Sequence, residues 1–498
     1  MPSIQVMSHR TPPSLQYLAI QSLLSNQALA IAALEDLPVL LFPSLFVEVY
    51  ARAHTEMLKA LVQAWPFSCL PLGDLAESPD LETFKAVLDG LDLLLAKKER
   101  PSRWKLQVLD LRNEHPNIWI QGYPSMAQIS YPDVLTDRPT ESCGSMMTEE
   151  QPLILLMDLT IKHGTQDALQ AYLLQWARER GERVQLCSRK LLILSGSISE
   201  IQKALRVVRL DSIQELKVNK FWHRETMKKV VPYLSQMKNL RILQFSRKRL
   251  TVTCRHKNFS YSYKYAVHLG QLYHLQELYV HDIFFLYGRL PTILRNLTLL
   301  KTLSLSSCPL KEADLWFLSQ CPCSRQLNDL RLRSLPLDNF SPEPLRALLE
   351  HEAGTLETLA LEDCAITDPQ LLCMLPALSQ CSHLSFFSFY GNHISISVLQ
   401  SLLSHTARLS CLRQGIYPAP LECYPHHERW VGDFEPERFA QVQAQLEQSM
   451  RDMGTTQKVQ ICIDFCHHHK YWTFYTLGSD GYWVVTVKNH PGLSALPL

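Results

Sequence analysis

The side chains best suited to chemistry sit near the C-terminus. The stretch ICIDFCHHHKYWTFY carries Cys462, Cys466, His467, His468 and His469. Thiolates and imidazoles at such short range are zinc-ligand chemistry. A structural zinc site draws on two ligand pairs, and no second pair with suitable spacing follows here. The stretch is therefore read as part of a packed cap, with no metal. Nor does the chain contain a glycine-rich dinucleotide turn, a P-loop, an HExxH helix or a Gly-x-Ser-x-Gly elbow. No cysteine carries a recognisable catalytic signature. The expectation is a protein that is not an enzyme and needs no cofactor. Four LxxLL strings begin at Leu37, Leu91, Leu345 and Leu399. Such strings can dock nuclear receptors, but in a leucine-rich chain they are read as helix faces turned to the core.

Composition narrows the class. The 498 residues carry 49 basic and 48 acidic side chains, and 46% are apolar. A near-neutral chain gives no general reason to expect direct nucleic-acid binding. The 14 cysteines are scattered without a CxxC pair, as befits reduced thiols inside the cell. No apolar run is read as a membrane span or a secretory signal. A cytoplasmic protein is expected, with the nucleus as a second compartment. The basic insertion around Arg247, Lys248 and Arg249 is read as a solvated loop on a long repeat rather than an import patch.

These residues must be positioned by something, and the strongest pattern is a repeat. LETLALEDCAI from Leu356, LKTLSLSSCPL from Leu300 and LSFFSFYGNHI from Leu384 share apolar positions one, four, six and eleven. Cys364, Cys308 and Asn392 fall at the ninth position. LNDLRLRSLPL from Leu327 and LQELYVHDIFF from Leu275 keep the ladder, with Leu335 and Ile283 in that slot. With echoes at Ile213, Leu240 and Leu409, the intervals are 27, 35, 25, 27, 29, 28 and 25 residues. Each LxL is a short strand with its leucines turned inward, and the remainder of each repeat has helical spacing. One repeat cannot bury its own apolar face, so neighbours must stack. The predicted fold class is α/β: a leucine-rich-repeat solenoid with an N-terminal helical cap.

The domain map follows. Residues 1–14 read as a flexible N-terminus, 15–100 as a helical cap and 101–112 as a first strand. Residues 113–150 read as a mobile loop or linker, 151–415 as the repeats and 416–498 as a C-terminal cap.

Long uncommon strings in this chain resemble the PRAME (preferentially expressed antigen in melanoma) family. They are QSLLSNQALAIAALEDLP at Gln21, LVQAWPFSCLPLGDL at Leu61, LETFKAVLDGLDLLLAKKERPSRWKLQVLDLR at Leu81, SPEPLRALLE at Ser341 and FYGNHISISVLQSLL at Phe389. The resemblance spans nearly the whole chain. It implies a horseshoe of the ribonuclease-inhibitor type. It also implies a substrate receptor of a cullin-2 RING ubiquitin ligase, with elongin B/C, cullin-2 and its RING subunit as partners. Transcriptional repression and control of differentiation, proliferation and apoptosis are the processes attached to the family. Adaptors of that ligase dock on elongin C through a helix patterned Ser/Thr-Leu-x3-Cys/Ala-x3-Leu. Ser14, Leu15, Ala19 and Leu23 match it, with alanine in the place of the commoner cysteine. Leu37, Pro38 and Leu41 resemble the core of a cullin-2 box. The family's usual Cys-Pro-x-Cys-Gly run is replaced here by the Cys462-x3-Cys466 spacing.

The face that would hold a target protein can be named from strand parity. Outward positions include Lys217, Gln244, Tyr279, Ser304, Arg331, Ala360 and Ser388, flanked by His281, Arg333, Glu362 and Tyr390. Tyrosine and arginine are common interface anchors. The target is an unknown protein. The alternative expectation is a stand-alone scaffold or transcriptional co-repressor that binds by the same face without a ligase.

Overall fold

The computed structural model describes residues 14–73, 75, 81–97, 103–114, 117–128, 152–164, 167–219, 224–246, 262–283, 286–322, 324–424, 434–453, 457–463, 471–477 and 483–489. The chain divides into two compact units. The first takes Met1–Thr160, Gly164–Arg189 and Lys203–Ser212; the second takes Ile161–His163, Lys190–Gln202 and Ile213–Leu498.

The first unit begins with helices Leu15–Ser25, Gln27–Ala32, Phe42–Ala51, Thr55–Gln63 and Leu81–Leu95. Phe42, Phe46 and Trp65 are fully buried between them and pack edge to face. Helices Thr55–Gln63 and Leu81–Leu95 approach closely at Gly90, where a Cβ would lie 2.8 Å from the Lys59 carbonyl oxygen. A parallel sheet follows, with Cys69–Pro71, Val108–Asp110, Leu153–Leu156, Val184–Cys187 and Val208–Arg209 side by side.

Two expectations are corrected here. The stretch 15–100 is not wholly helical: Cys69–Pro71 is a strand, so Val108–Asp110 is the second strand and not the first. Part of the expected loop at 113–150 is folded, with helices Ile118–Gln121 and Tyr123–Gln128. Ile118 and Met126 are buried, and Trp119 stacks on Phe46 at 5.4 Å. Apolar anchors in a stretch rich in Pro, Ser and Asn are enough to seal it onto the unit. Residues 129–151 lie outside the described residues.

The strand Val108–Asp110 ends in a buried charge pair. Arg112 donates to Asp110 through Nε at 2.9 Å and Nη2 at 2.8 Å, and both side chains are almost without exposure. Arg112 also meets Glu114 at 3.0 Å, so the guanidinium is doubly compensated.

The second unit is ruled by one parallel ladder. Strands Lys190–Ile193, Glu215–Val218, Ile242–Ser246, Glu277–His281, Thr302–Ser306 and Asp329–Arg333 pair in sequence. Thr358–Glu362, Phe386–Ser388, Gln414–Pro418 and Lys458–Ile463 continue it. Antiparallel strands Tyr471–Leu477 and Trp483–Asn489 close the series. The intervening chain is helical, as in Glu312–Gln320, Glu343–Glu352, Asp368–Leu378 and Ile396–Thr406. The inward residues of the LxL steps, among them Leu303, Leu305, Leu330, Leu332, Leu359 and Leu361, are buried. The ladder passes the boundary expected at residue 415, which is a further correction. Tyr417 fills an inward position there, and Gly415 leaves room for its ring, since a Cβ would stand 2.4 Å from the phenol oxygen.

The ninth-position residues hold the turns after the strands. Asn392 is buried; its Oδ1 accepts from the N–H groups of Cys364 and Ile366, each at 3.1 Å. Its Nδ2 donates to Leu361 O at 2.7 Å and Phe389 O at 2.8 Å. Cys364 and Cys308 reach carbonyl oxygens of their own and the preceding strand through Sγ. Burial pushes both thiols well above their ordinary pKa, to about 12 for Cys308, which keeps them protonated as donors. At the strand ends Asp282, Ser307, Ser334 and Asp363 adopt positive φ, and Gly391 does so at +73°. A Cβ on Gly391 would also meet Asp363 Cα at 3.0 Å. Gly391→Ala is expected to cost about 1–2 kcal/mol, read as a lower urea midpoint at unchanged m-value. Among the described residues, no helix is long and apolar enough to cross a membrane.

Candidate functional site

Strand register gathers the predicted outward residues into one row of the second unit's sheet. Lys217 pairs with Gln244, Gln244 with Tyr279, Tyr279 with Ser304, Ser304 with Arg331, Arg331 with Ala360, and Ala360 with Ser388. The row continues through Ile416 and Gln460. Parity alone forces this: residues two apart on a strand share a face.

The charges of this face are answered from within. Lys217 Nζ meets Glu215 at 2.7 Å, two positions back on its own strand. Arg331 binds Asp329 with both arms, at 2.8 and 2.7 Å. The Tyr279 hydroxyl donates to Glu277 at 2.9 Å, and burial together with that carboxylate raises its pKa. Such side chains are pre-oriented by their neighbours, which lowers the entropy lost when a partner docks.

Gln244, Ser304, Ala360 and Ser388 are buried despite their outward parity, which corrects them as contact positions, and two of the flanking residues are not presented either. Glu362 and Tyr390 are each only 4% exposed. The Tyr390 hydroxyl donates to Glu362 at 2.9 Å, and the guanidinium of Arg333 pairs with the same carboxylate. Cys462 and Phe474, from the late strands, cluster with the Tyr390 ring. These two residues are corrected from partner contacts to the buried base that fixes Arg333. Arg333, Arg331, Tyr279 and His281 remain partly exposed.

The first helix of the first unit has two apolar faces. Ile20 and Leu24 are buried, whereas Leu15 is 86% exposed and Leu18 49%. Ala19 is also exposed and Leu23 is half-buried. Ser14 caps the helix, its Oγ accepting from the Tyr17 N–H at 3.1 Å. Gln16 bonds Ser44 at 3.0 Å, and Gln21 accepts from Arg52 at 2.7 Å, which fixes the rotation of the helix. Positions 15, 18, 19 and 23 therefore share an outward stripe. Leu18 belongs to it and was missed, although its spacing from Leu15 was visible. Downstream, Pro38 is exposed while Leu37 and Leu41 are half-buried. Arg103 donates to the carbonyl oxygens of Leu34 and Leu37, at 2.9 and 2.5 Å, and holds that turn in place.

Cys462 is buried, and Cys466, His467, His468 and His469 lie outside the described residues. Among the described residues no cluster of three or more metal-ligating side chains forms. Arg247, Lys248 and Arg249 also lie outside them.

A mixed α/β protein with parallel sheets and a helical N-terminal region is the class that these elements define. The chain belongs to the PRAME family. Residues 12–119 match the PRAME N-terminal domain and residues 153–482 the PRAME C-terminal domain. Human PRAME family member 12 is 45% identical over 449 residues, covering 90% of this chain and 92% of that protein. Human PRAME family member 7 is 42% identical over 462 residues, covering 92% and 96%. No catalytic family is indicated. Among solved structures, the yeast Rad7 and Elc1 complex aligns with a TM-score of 0.32 at 16% identity, over 51% of this chain and 64% of that one. A likeness at that level defines neither fold nor partner.

Proposed function

We propose that this chain is a non-catalytic substrate-recognition subunit of a cullin-2 RING ubiquitin ligase. Its strand–helix units stack as a leucine-rich-repeat solenoid of the ribonuclease-inhibitor type. Leu15, Ala19 and Leu23 seat the first helix in elongin C, and Leu37, Pro38 and Leu41 meet cullin-2. The row through Tyr279 and Arg331 takes the target protein. The chain acts in the cytoplasm and nucleus, and the downstream effects fall on transcription, differentiation, proliferation and apoptosis.

One observation carries the reading. The first helix keeps Leu15 and Leu18 in solvent while a separate stripe, Ile20 and Leu24, serves the core. An apolar stripe left over after the core is satisfied suits a helix that docks in a groove. Membership of the PRAME family supports this choice of partner.

The test is capture of purified elongin B/C by the full chain and by its Leu15→Asp variant. Capture by the wild type and an at least tenfold loss in the variant are expected. The circular dichroism spectrum should not change, because Leu15 makes little contact with the fold. No capture by the wild type, or equal capture by the variant, would leave the stand-alone scaffold as the better reading.

A further inference from the structure

The helix-to-strand turns of the second unit carry a charge pattern that the sheet face does not. Backbone bonds place these turns side by side. Arg241 N–H donates to Gln214 O at 2.8 Å, Gln276 to Arg241 O at 2.8 Å, Lys301 to Gln276 O at 2.7 Å and Asn328 to Lys301 O at 2.8 Å. Arg241 and Lys301 thus stand two strands apart, about 10 Å. Three residues before each rung, the same ladder aligns Lys238, Tyr273, Thr298 and Arg325.

Lys238, Arg241, Lys301 and Arg325 are all exposed, and none forms an ion pair with another of the described residues. The cations of the neighbouring face, in contrast, are matched to Glu215, Asp329 and Glu362. Between the four cations stand Tyr273, 56% exposed, and Leu299, 40% exposed. The chain as a whole is nearly neutral, so this rim is a local segregation of charge and not a general basicity. Its boundary is marked by Glu357, which occupies the rung after Asn328 and accepts from the Asn328 amide at 3.2 Å.

We propose that this rim binds an acidic, leucine-containing extended segment of a partner protein. Carboxylates of the segment pair with Lys238, Arg241, Lys301 and Arg325, and its apolar side chains lie on Tyr273 and Leu299. Two features favour a peptide over a nucleic-acid backbone. The rung N–H groups are consumed by the ladder, so they offer no amide cradle for phosphate. An exposed leucine amid the cations suits an apolar side chain better than a sugar–phosphate chain. The site is separate from the proposed elongin helix and does not depend on a ligase.

The test uses the full chain and three fluorescent probes of equal length. They are a peptide of repeated Glu-Glu-Leu, the same peptide with lysine for glutamate, and oligouridylate. Saturable binding of the acidic peptide alone is expected, weakening steeply between 50 and 300 mM salt. The Arg241→Glu/Lys301→Glu/Arg325→Glu variant should bind at least tenfold more weakly at an unchanged melting temperature. Leu299→Ser should weaken the peptide several-fold without altering its salt dependence. Tighter binding of oligouridylate would overturn the proposal in favour of nucleic acid. No saturable binding at 50 mM salt, or equal binding by the charge-reversed variant, would overturn it outright.

Discussion

Asn392→Ala is expected to lower stability by about 3–5 kcal/mol. One amide side chain serves four backbone groups: two N–H donors, at Cys364 and Ile366, and two carbonyls, at Leu361 and Phe389. The site is buried, so water does not replace the lost partners. Each buried polar group left unmatched costs about 1–3 kcal/mol, and the total is moderated by relaxation of the turn. For a unit of this size, the loss appears as a fall of about 6–15 °C in melting temperature. Asn392→Cys should recover part of it, because cysteine at the same slot, in Cys308 and Cys364, still reaches two carbonyl oxygens. Equal losses for alanine and cysteine would show that the turn is held by its backbone and not by the slot.

Glu352→Gln is expected to work in the opposite direction, and only above acid pH. Glu352 ends the helix Glu343–Glu352 with its carboxyl buried. Thr355 donates to Oε2 at 3.3 Å, and Oε1 meets no donor at hydrogen-bond geometry among the described residues. Burial pushes the carboxyl up from 4.5 to about 7, against weaker opposing help from Ser324, Thr355, His351 and Arg325. Between those two values the unfolded chain has released the proton and the folded chain still holds it. Stability therefore falls as pH rises through that window, and the loss is complete above about 7. A rise of that size corresponds to roughly 3 kcal/mol. Glutamine removes the charge and keeps the shape. The variant should gain up to about 3 kcal/mol at pH 8 and nothing at pH 4. A gain that does not vary with pH would exclude the carboxyl as its source.

The ladder of the second unit was legible because its signal is local. Each LxL places its leucines inward by strand parity, and the 25–29-residue spacing repeats often enough to fix the register of Tyr279, Ser304 and Arg331. What escaped depends on distant chain. Cys69–Pro71 is too short to alternate, and it is a strand because Val108–Asp110 lies beside it. Glu362 and Tyr390 have outward parity, yet Tyr390 packs against Cys462 and Phe474 from much later in the chain and its hydroxyl holds Glu362. Trp119 reads as part of a polar linker until Phe46 stacks on it. The basic rim was hidden for another reason. Its residues are spread over four repeats, so a whole-chain charge near zero conceals them.

The order of strand pairing carries a consequence for how this molecule tolerates change. From Ile242–Ser246 to Lys458–Ile463, each strand bonds only to the strands before and after it in sequence. Among the described strands, no pairing ties the first rung to the last. Within the rungs from Ile242–Ser246 to Thr358–Glu362, the gain or loss of one whole strand–helix unit would therefore leave two cut edges that still match, since each of these rungs turns buried apolar residues inward at the same two positions. A change of a few residues would instead shift the leucines against the next rung and break the match. The ladder thus gives a lineage two very different kinds of length variation: the duplication of entire units, which the packing accepts, and small slips within a unit, which it rejects.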